Sequence, residues 1–169
     1  MPRPDLTRVP EFYHNYINQV LENDLMEAFT KESNSFIQFF ESIPVSKQDY
    51  RYAEGKWTIK EVLQHIIDAE RVFIYRALVF ARKDNTPLPS FDEDLYAKNS
   101  KASSRKWNDL MEEFKSVRKS AEILFNSFDF EQLDSSGIAS KHSNYVLGMG
   151  YIIIGHSVHH KNVVKERYL

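Results

Sequence analysis

Apolar residues recur at three- and four-residue spacing in four long stretches of this chain, the signature of amphipathic helices. The first runs from about Asn23 to Ile43, with Leu25, Phe29, Phe36, Phe39, Phe40 and Ile43 as its buried stripe. Asn23 and Asp24 offer N-caps and Pro44 ends it. A shorter amphipathic turn or helix, Pro10 to about Val20, precedes it and carries Phe12, Tyr13, Tyr16 and Ile17. The second long helix has the clearest start. Thr58-Ile-Lys-Glu61 forms a capping box, and Trp57 before the cap with Val62 after it has the arrangement of a hydrophobic staple. It runs to about Arg82, with Val62, Ile66, Ala69, Phe73 and Phe80 along one side.

The third helix spans about Lys106 to Ser127, on Leu110, Phe114, Val117, Ala121, Leu124 and Phe125. The last runs from about Tyr145 to Arg167 despite Gly148, Gly150 and Gly155, which weaken it but let neighbouring backbone or a ligand come close. Lys83 to Arg105 forms a long connection, long enough for a crossover that leaves the second and third long helices parallel. A second long connection ends near Asn144. No strand-like alternation competes and no internal repeat is present. The pattern therefore predicts an all-α, single-domain protein over residues 1–169, a four-helix bundle with a long crossover between helices 2 and 3.

Composition supports an ordered globule: 42% of the 169 residues are hydrophobic and 14% aromatic. The formal net charge is -2 and no basic stripe stands out, which argues against nucleic acid as partner. With no cysteine, a metal would have to be held by histidine or carboxylate, and the chain has no thiol nucleophile of its own. The first residues do not read as a signal peptide, and Ile152–Ile154, the longest purely aliphatic run, is far too short to cross a bilayer. These features give the expectation of a cytoplasmic protein without a membrane partner.

Three of the six histidines fall in Gly155-His156-Ser157-Val158-His159-His160. On a helix His156 and His160 stand one turn apart on one face, within an apolar stripe of Met149, Ile152, Ile153, Val163 and Val164. Imidazoles buried there need hydrogen-bond or metal partners. On this helix alone, ordinary core or edge histidines are the better reading. His65, on the border of the apolar face of the best-capped helix, brings the metal reading level with it. Glu61 and Asp68 lie one turn either side of His65, where a carboxylate can fix the tautomer of a ligating imidazole or form a surface ion pair. His159, on the flank, could replace His160 as ligand, shuttle protons, or lie at the rim without a role. His14 and His142 read as ordinary surface or loop residues. The sequence lacks His-Glu-x-x-His, a pair of Glu-x-x-His motifs, Gly-x-Ser-x-Gly and phosphate-loop motifs, which disfavours a zincin, a di-iron bundle, an α/β-hydrolase and a nucleotide-binding enzyme.

The stretch Gly55-Lys-Trp-Thr-Ile-Lys-Glu-Val-Leu-Gln-His-Ile-Ile-Asp-Ala-Glu-Arg71 closely resembles the second-helix motif of the DinB-like superfamily. Gly155–His160, with the ending Glu166-Arg-Tyr-Leu169, resembles that family's last helix, and Arg82–Phe91 resembles the linker of one subgroup. The resemblance implies a four-helix bundle, often dimeric, with a divalent-metal site of three histidines. Those histidines would be His65, His156 and His160. Relatives include bacillithiol S-transferases and a mycothiol-dependent isomerase. Two departures stand out. Family members often carry an acidic residue where this chain has Ser157, and Lys141-His142-Ser143 replaces the glycine-asparagine common before the last helix.

The expectation is thus a metal-dependent enzyme holding Zn²⁺ or Ni²⁺, with Mn²⁺ or Fe²⁺ as further choices, at His65, His156 and His160. The ion would activate a low-molecular-weight thiol cosubstrate, as in a bacillithiol-type S-transferase, or water. The catalytic residues are unassigned, with Glu61, Asp68 and His159 as candidates, and the partners are a small-molecule substrate and a second copy in a homodimer. The alternatives are a metal-dependent hydrolase, or a non-catalytic dimer that binds a small ligand or partner, its metal structural or absent.

Overall fold

The four amphipathic stretches are helices to within one or two residues of their predicted bounds in the computed structural model, which describes residues 1–169. Two 3₁₀ turns lead into the short helix α1 (His14–Asn18), followed by α2 (Leu25–Glu41) and α3 (Val45–Gln48). Then come α4 (Ile59–Ala81), α5 (Glu93–Asn99), α6 (Trp107–Asn126) and α7 (Phe130–Asp134). A hairpin of β1 (Ser136–Ala139) and β2 (His142–Tyr145) leads into α8 (Val146–Arg167). The starts follow the expected chemistry. The Asp24 side chain accepts from the Met26 and Glu27 amides, and the Thr58–Glu61 capping box is formed in both directions.

Both α2 and α4 pack against α6 and α8, so α2 and α4 lie across the bundle from each other. Arg105 bonds Gln64 and Arg118 bonds Glu70, which makes α6 parallel to α4, as a crossover requires. The opposite sense holds for α8: its end meets Trp57 through the Tyr168 hydroxyl, while His156, nearer its start, meets His65.

Where the apolar stripe on α8 predicts one buried face, every residue from Val146 to Val158 is buried. The N-terminal segment is the reason, because α1 packs on α8 as well as α2 and α4. Gly155 permits that approach. A Cβ there would stand 2.2 Å from the Tyr16 carbonyl oxygen, well inside contact distance.

The connections carry more structure than their sequence suggests. The absence of strands is corrected by the two-stranded antiparallel β1–β2 hairpin. Its turn residues Ser140 and Lys141 both have positive φ, 53° and 69°, a turn built without the Asn-Gly that usually announces it. The crossover docks on this hairpin: the Leu88 amide donates to the Ile138 carbonyl, and the Ser140 amide to that of Leu88.

Buried apolar residues form two clusters, one toward each end of the bundle. Between them lies a polar layer. Arg118 and Glu70, each with 2% exposure, form a two-pronged ion pair at 2.8 and 2.8 Å. The same guanidinium donates to Ser157 Oγ at 2.5 Å and Ser33 Oγ at 3.3 Å. The three histidines of the candidate site occupy the same level.

A three-histidine candidate metal centre

The capped second turn of α4 presents His65, and successive turns of α8 present His156 and His160. Their ring nitrogens meet between the helices. His156 Nε2 is 3.1 Å from His65 Nε2 and 3.1 Å from His160 Nε2, and all three lie within 4.8 Å of one another.

Hydrogen bonding alone does not satisfy this arrangement. A neutral imidazole nitrogen carries either one proton or one in-plane lone pair, so His156 Nε2 can serve one of its two neighbours. A cation shared by three lone pairs satisfies all of them. Nitrogens bound tetrahedrally at about 2.0–2.1 Å stand about 3.3 Å apart, close to both 3.1 Å separations. The donor set, three uncharged nitrogens without thiolate or carboxylate, fits a borderline divalent ion such as Zn²⁺ or Ni²⁺.

The surroundings keep these rings neutral. Burial pushes the His65 pKa from its ordinary 6.5 down to about 4. His156 and His160 lie well below the ordinary value, first through burial and then through the neighbouring imidazoles. Lone pairs are therefore available at neutral pH. Aromatic walls fix the rings: Trp57 lies 4.8 Å from His65, while Tyr16 and Phe73 meet His156 edge-on at 5.5 and 5.8 Å. On the His160 side a cleft of about 370 Å³ opens, with Trp57, Tyr168, His159 and Asp94 among its walls.

The other candidates fall differently. Glu61 does not orient His65, because its carboxylate accepts from the Thr58 amide and hydroxyl. Asp68 accepts from Gln64 and pairs with Arg71 at 3.8 Å, so it too makes no bond to His65. Burial raises the Asp68 pKa, opposed by the Gln64 hydrogen bond. His159 is half-buried beside Tyr16 and lines the cleft. His14 is more than a surface residue, since its Nε2 meets the Leu6 and Val9 carbonyls, whereas His142 is exposed against Phe12. Sequence patterning missed the contact of His65 with Trp57, which precedes the α4 cap, and it missed Tyr16, which only the folded N-terminal segment brings to the site.

The profile of the DinB superfamily matches residues 28–164. The chain belongs to the DinB superfamily. No functionally curated protein matches it significantly. Among solved structures it is similar to YfiT from Bacillus subtilis, with a TM-score of 0.72 at 16% identity over 98% of this chain and 90% of YfiT. YfiT is described as a "probable metal-dependent hydrolase with an unusual four-helix bundle topology". At that identity the likeness bears on fold, and the four-helix DinB architecture is shared. No helix of this DinB-superfamily chain is long and apolar enough to cross a membrane.

Proposed function

We propose that this DinB-superfamily protein is a metal-dependent enzyme in which His65, His156 and His160 hold a divalent cation, Zn²⁺ or Ni²⁺ before Mn²⁺ or Fe²⁺. The observation that carries the proposal is the double 3.1 Å approach to His156 Nε2, which protons alone leave half satisfied. When bound, such an ion supplies Lewis acidity that lowers the pKa of a coordinated water or thiol.

The chain's own residues do the rest. The buried, neutral imidazoles leave the ion its full charge, and Trp57, Tyr16 and Phe73 pack against the rings of His65 and His156. His159 and Asp94 are two of the titratable groups on the cleft wall, placed to handle a proton of an entering substrate. The nucleophile we assign is a low-molecular-weight thiol from a cosubstrate, since a chain without cysteine supplies none itself. Water is the second reading, favoured by the description of YfiT. We further propose a small-molecule second substrate and a homodimeric, cytoplasmic protein. These readings rest on the sequence resemblance to thiol-dependent relatives.

The experiment is a transfer assay on metal-loaded protein, with bacillithiol-type and simpler thiols against electrophiles and with ester and amide substrates alongside. Thiol-dependent turnover that vanishes in His65→Ala, His156→Ala and His160→Ala supports the transferase. Thiol-independent turnover supports the hydrolase. Metal loading without turnover of either kind leaves only the structural-metal alternative.

A further inference from the structure

Arg76 presents an unmatched buried charge. It has 2% exposure, the same as Arg118, yet the two guanidiniums are treated differently. Arg118 has the Glu70 carboxylate on two prongs. Arg76 has only neutral acceptors, the Pro89 carbonyl at 3.0 Å and Ser140 Oγ at 2.9 Å, both on the same nitrogen, Nη2. No carboxylate makes an ion pair with it. Guanidinium stays protonated at any physiological pH, so burial leaves a full positive charge in place. Such a charge is costly unless paired. The rings of Phe73 and Phe91, each 5.9 Å from its central carbon, offset part of that cost without supplying a counter-charge.

The same side chain lines a cavity of about 280 Å³ between α4 and the crossover, walled by Val72, Tyr75, Leu88, Phe91 and Tyr96. Arg71 also borders it, but its guanidinium is already engaged by Glu113 and Asp68. The Tyr13 hydroxyl lies near Arg76; burial raises its pKa, opposed by the Arg76 charge, and the Glu93 carboxylate raises it further. An apolar, aromatic-walled cavity with one convergent, unneutralised cation has the make-up of a small-anion site, and its volume suits a ligand below drug size. Along α4, Arg76 follows His65 by just over three turns. It therefore shares that residue's face but starts about 16 Å further along the helix axis, with the Phe73 ring standing between its guanidinium and His156.

We infer that this cavity binds a small organic anion, an aromatic or branched aliphatic carboxylate, whose carboxylate pairs with Arg76 while its apolar part lies against Tyr75, Phe91 and Tyr96. The site is separate from the three-histidine centre and does not depend on it.

The test is titration of benzoate, with benzamide as the neutral isostere, into the full chain followed by calorimetry and by amide NMR shifts. Measurements are made on metal-loaded protein, metal-stripped protein and His156→Ala. The expected result is benzoate binding at least ten-fold tighter than benzamide, unchanged by stripping or by His156→Ala. Shifts should centre on residues 71–76 and 88–96. Arg76→Gln should lose the preference for benzoate. Because Arg76 also ties the crossover to the hairpin, Ser90→Trp serves as a second variant, filling the mouth from an exposed loop position and weakening benzoate at least ten-fold. Equal affinity for benzoate and benzamide, no binding of either, or binding that disappears with the metal would each overturn the inference. So would full benzoate binding in both Arg76→Gln and Ser90→Trp.

Discussion

His65 and His156 are 91 residues apart in the chain, yet their Nε2 atoms stand 3.1 Å apart in the polar layer of the bundle. Neither ring has a carboxylate partner that would make it an imidazolium, and burial drives both toward the neutral form. The closeness thus joins two lone-pair donors rather than an acid and a base.

Acid should weaken the metal-free protein through these rings. Unfolded, each imidazole takes up a proton near 6.5; folded, His65 does so only at about 4, and burial holds His156 and His160 well below 6.5 too. In that window the unfolded state binds more protons, so stability is fully present above about 6.5 and declines as pH falls toward 4. Urea unfolding of chelator-treated protein at several pH values should show the midpoint falling, with a shallower slope in His65→Phe. An unchanged slope in that variant would mean His65 is not buried as a neutral ring.

The Glu70–Arg118 pair should behave as a matched buried charge. Glu70→Gln leaves Arg118 without a counter-ion and should destabilise the protein by about 3–5 kcal/mol. The double substitution Glu70→Leu with Arg118→Met should recover most of that loss. Denaturant unfolding of the wild type and the two variants reads both numbers. Ser157→Ala removes one acceptor of Arg118 and should cost about 1–3 kcal/mol, as for an exposed-to-nothing buried donor.

Gly155→Ala should displace the N-terminal segment from α8. The added methyl would meet the Tyr16 carbonyl at 2.2 Å, and backbone cannot yield as a flexible side chain does. A loss of about 1–3 kcal/mol is expected, together with weaker metal binding as Tyr16 leaves His156. Thermal unfolding and metal titration of the variant would check both, and wild-type behaviour in both would show that α1 does not brace the site.

The bundle was legible because its long helices are amphipathic at fixed spacing, and Asp24, Thr58 and Pro44 mark their ends. The meeting of His65 with His156 and His160 was half legible: periodicity put each on an apolar border and made a shared metal site as good a reading as core histidines, and the family resemblance then assigned the three as ligands. The β1–β2 hairpin was not legible. Its strands are four residues long, and Ser140-Lys141 takes positive φ without glycine or asparagine. The all-round burial of α8 was hidden because a stripe of apolar residues does not reveal that α1 covers its other side. Glu61 and Asp68 had the right spacing for orienting His65, but stronger local partners, the Thr58 cap and Gln64 with Arg71, take their oxygens.

Divalent metal bound per chain, measured by elemental analysis after loading and exhaustive desalting, tests the central claim most directly. The expected result is one equivalent of Zn²⁺ or Ni²⁺ per chain in the wild type and little or none in folded His156→Ala. A folded wild-type chain that retains no divalent ion, or a His156→Ala chain that retains a full equivalent, would contradict it.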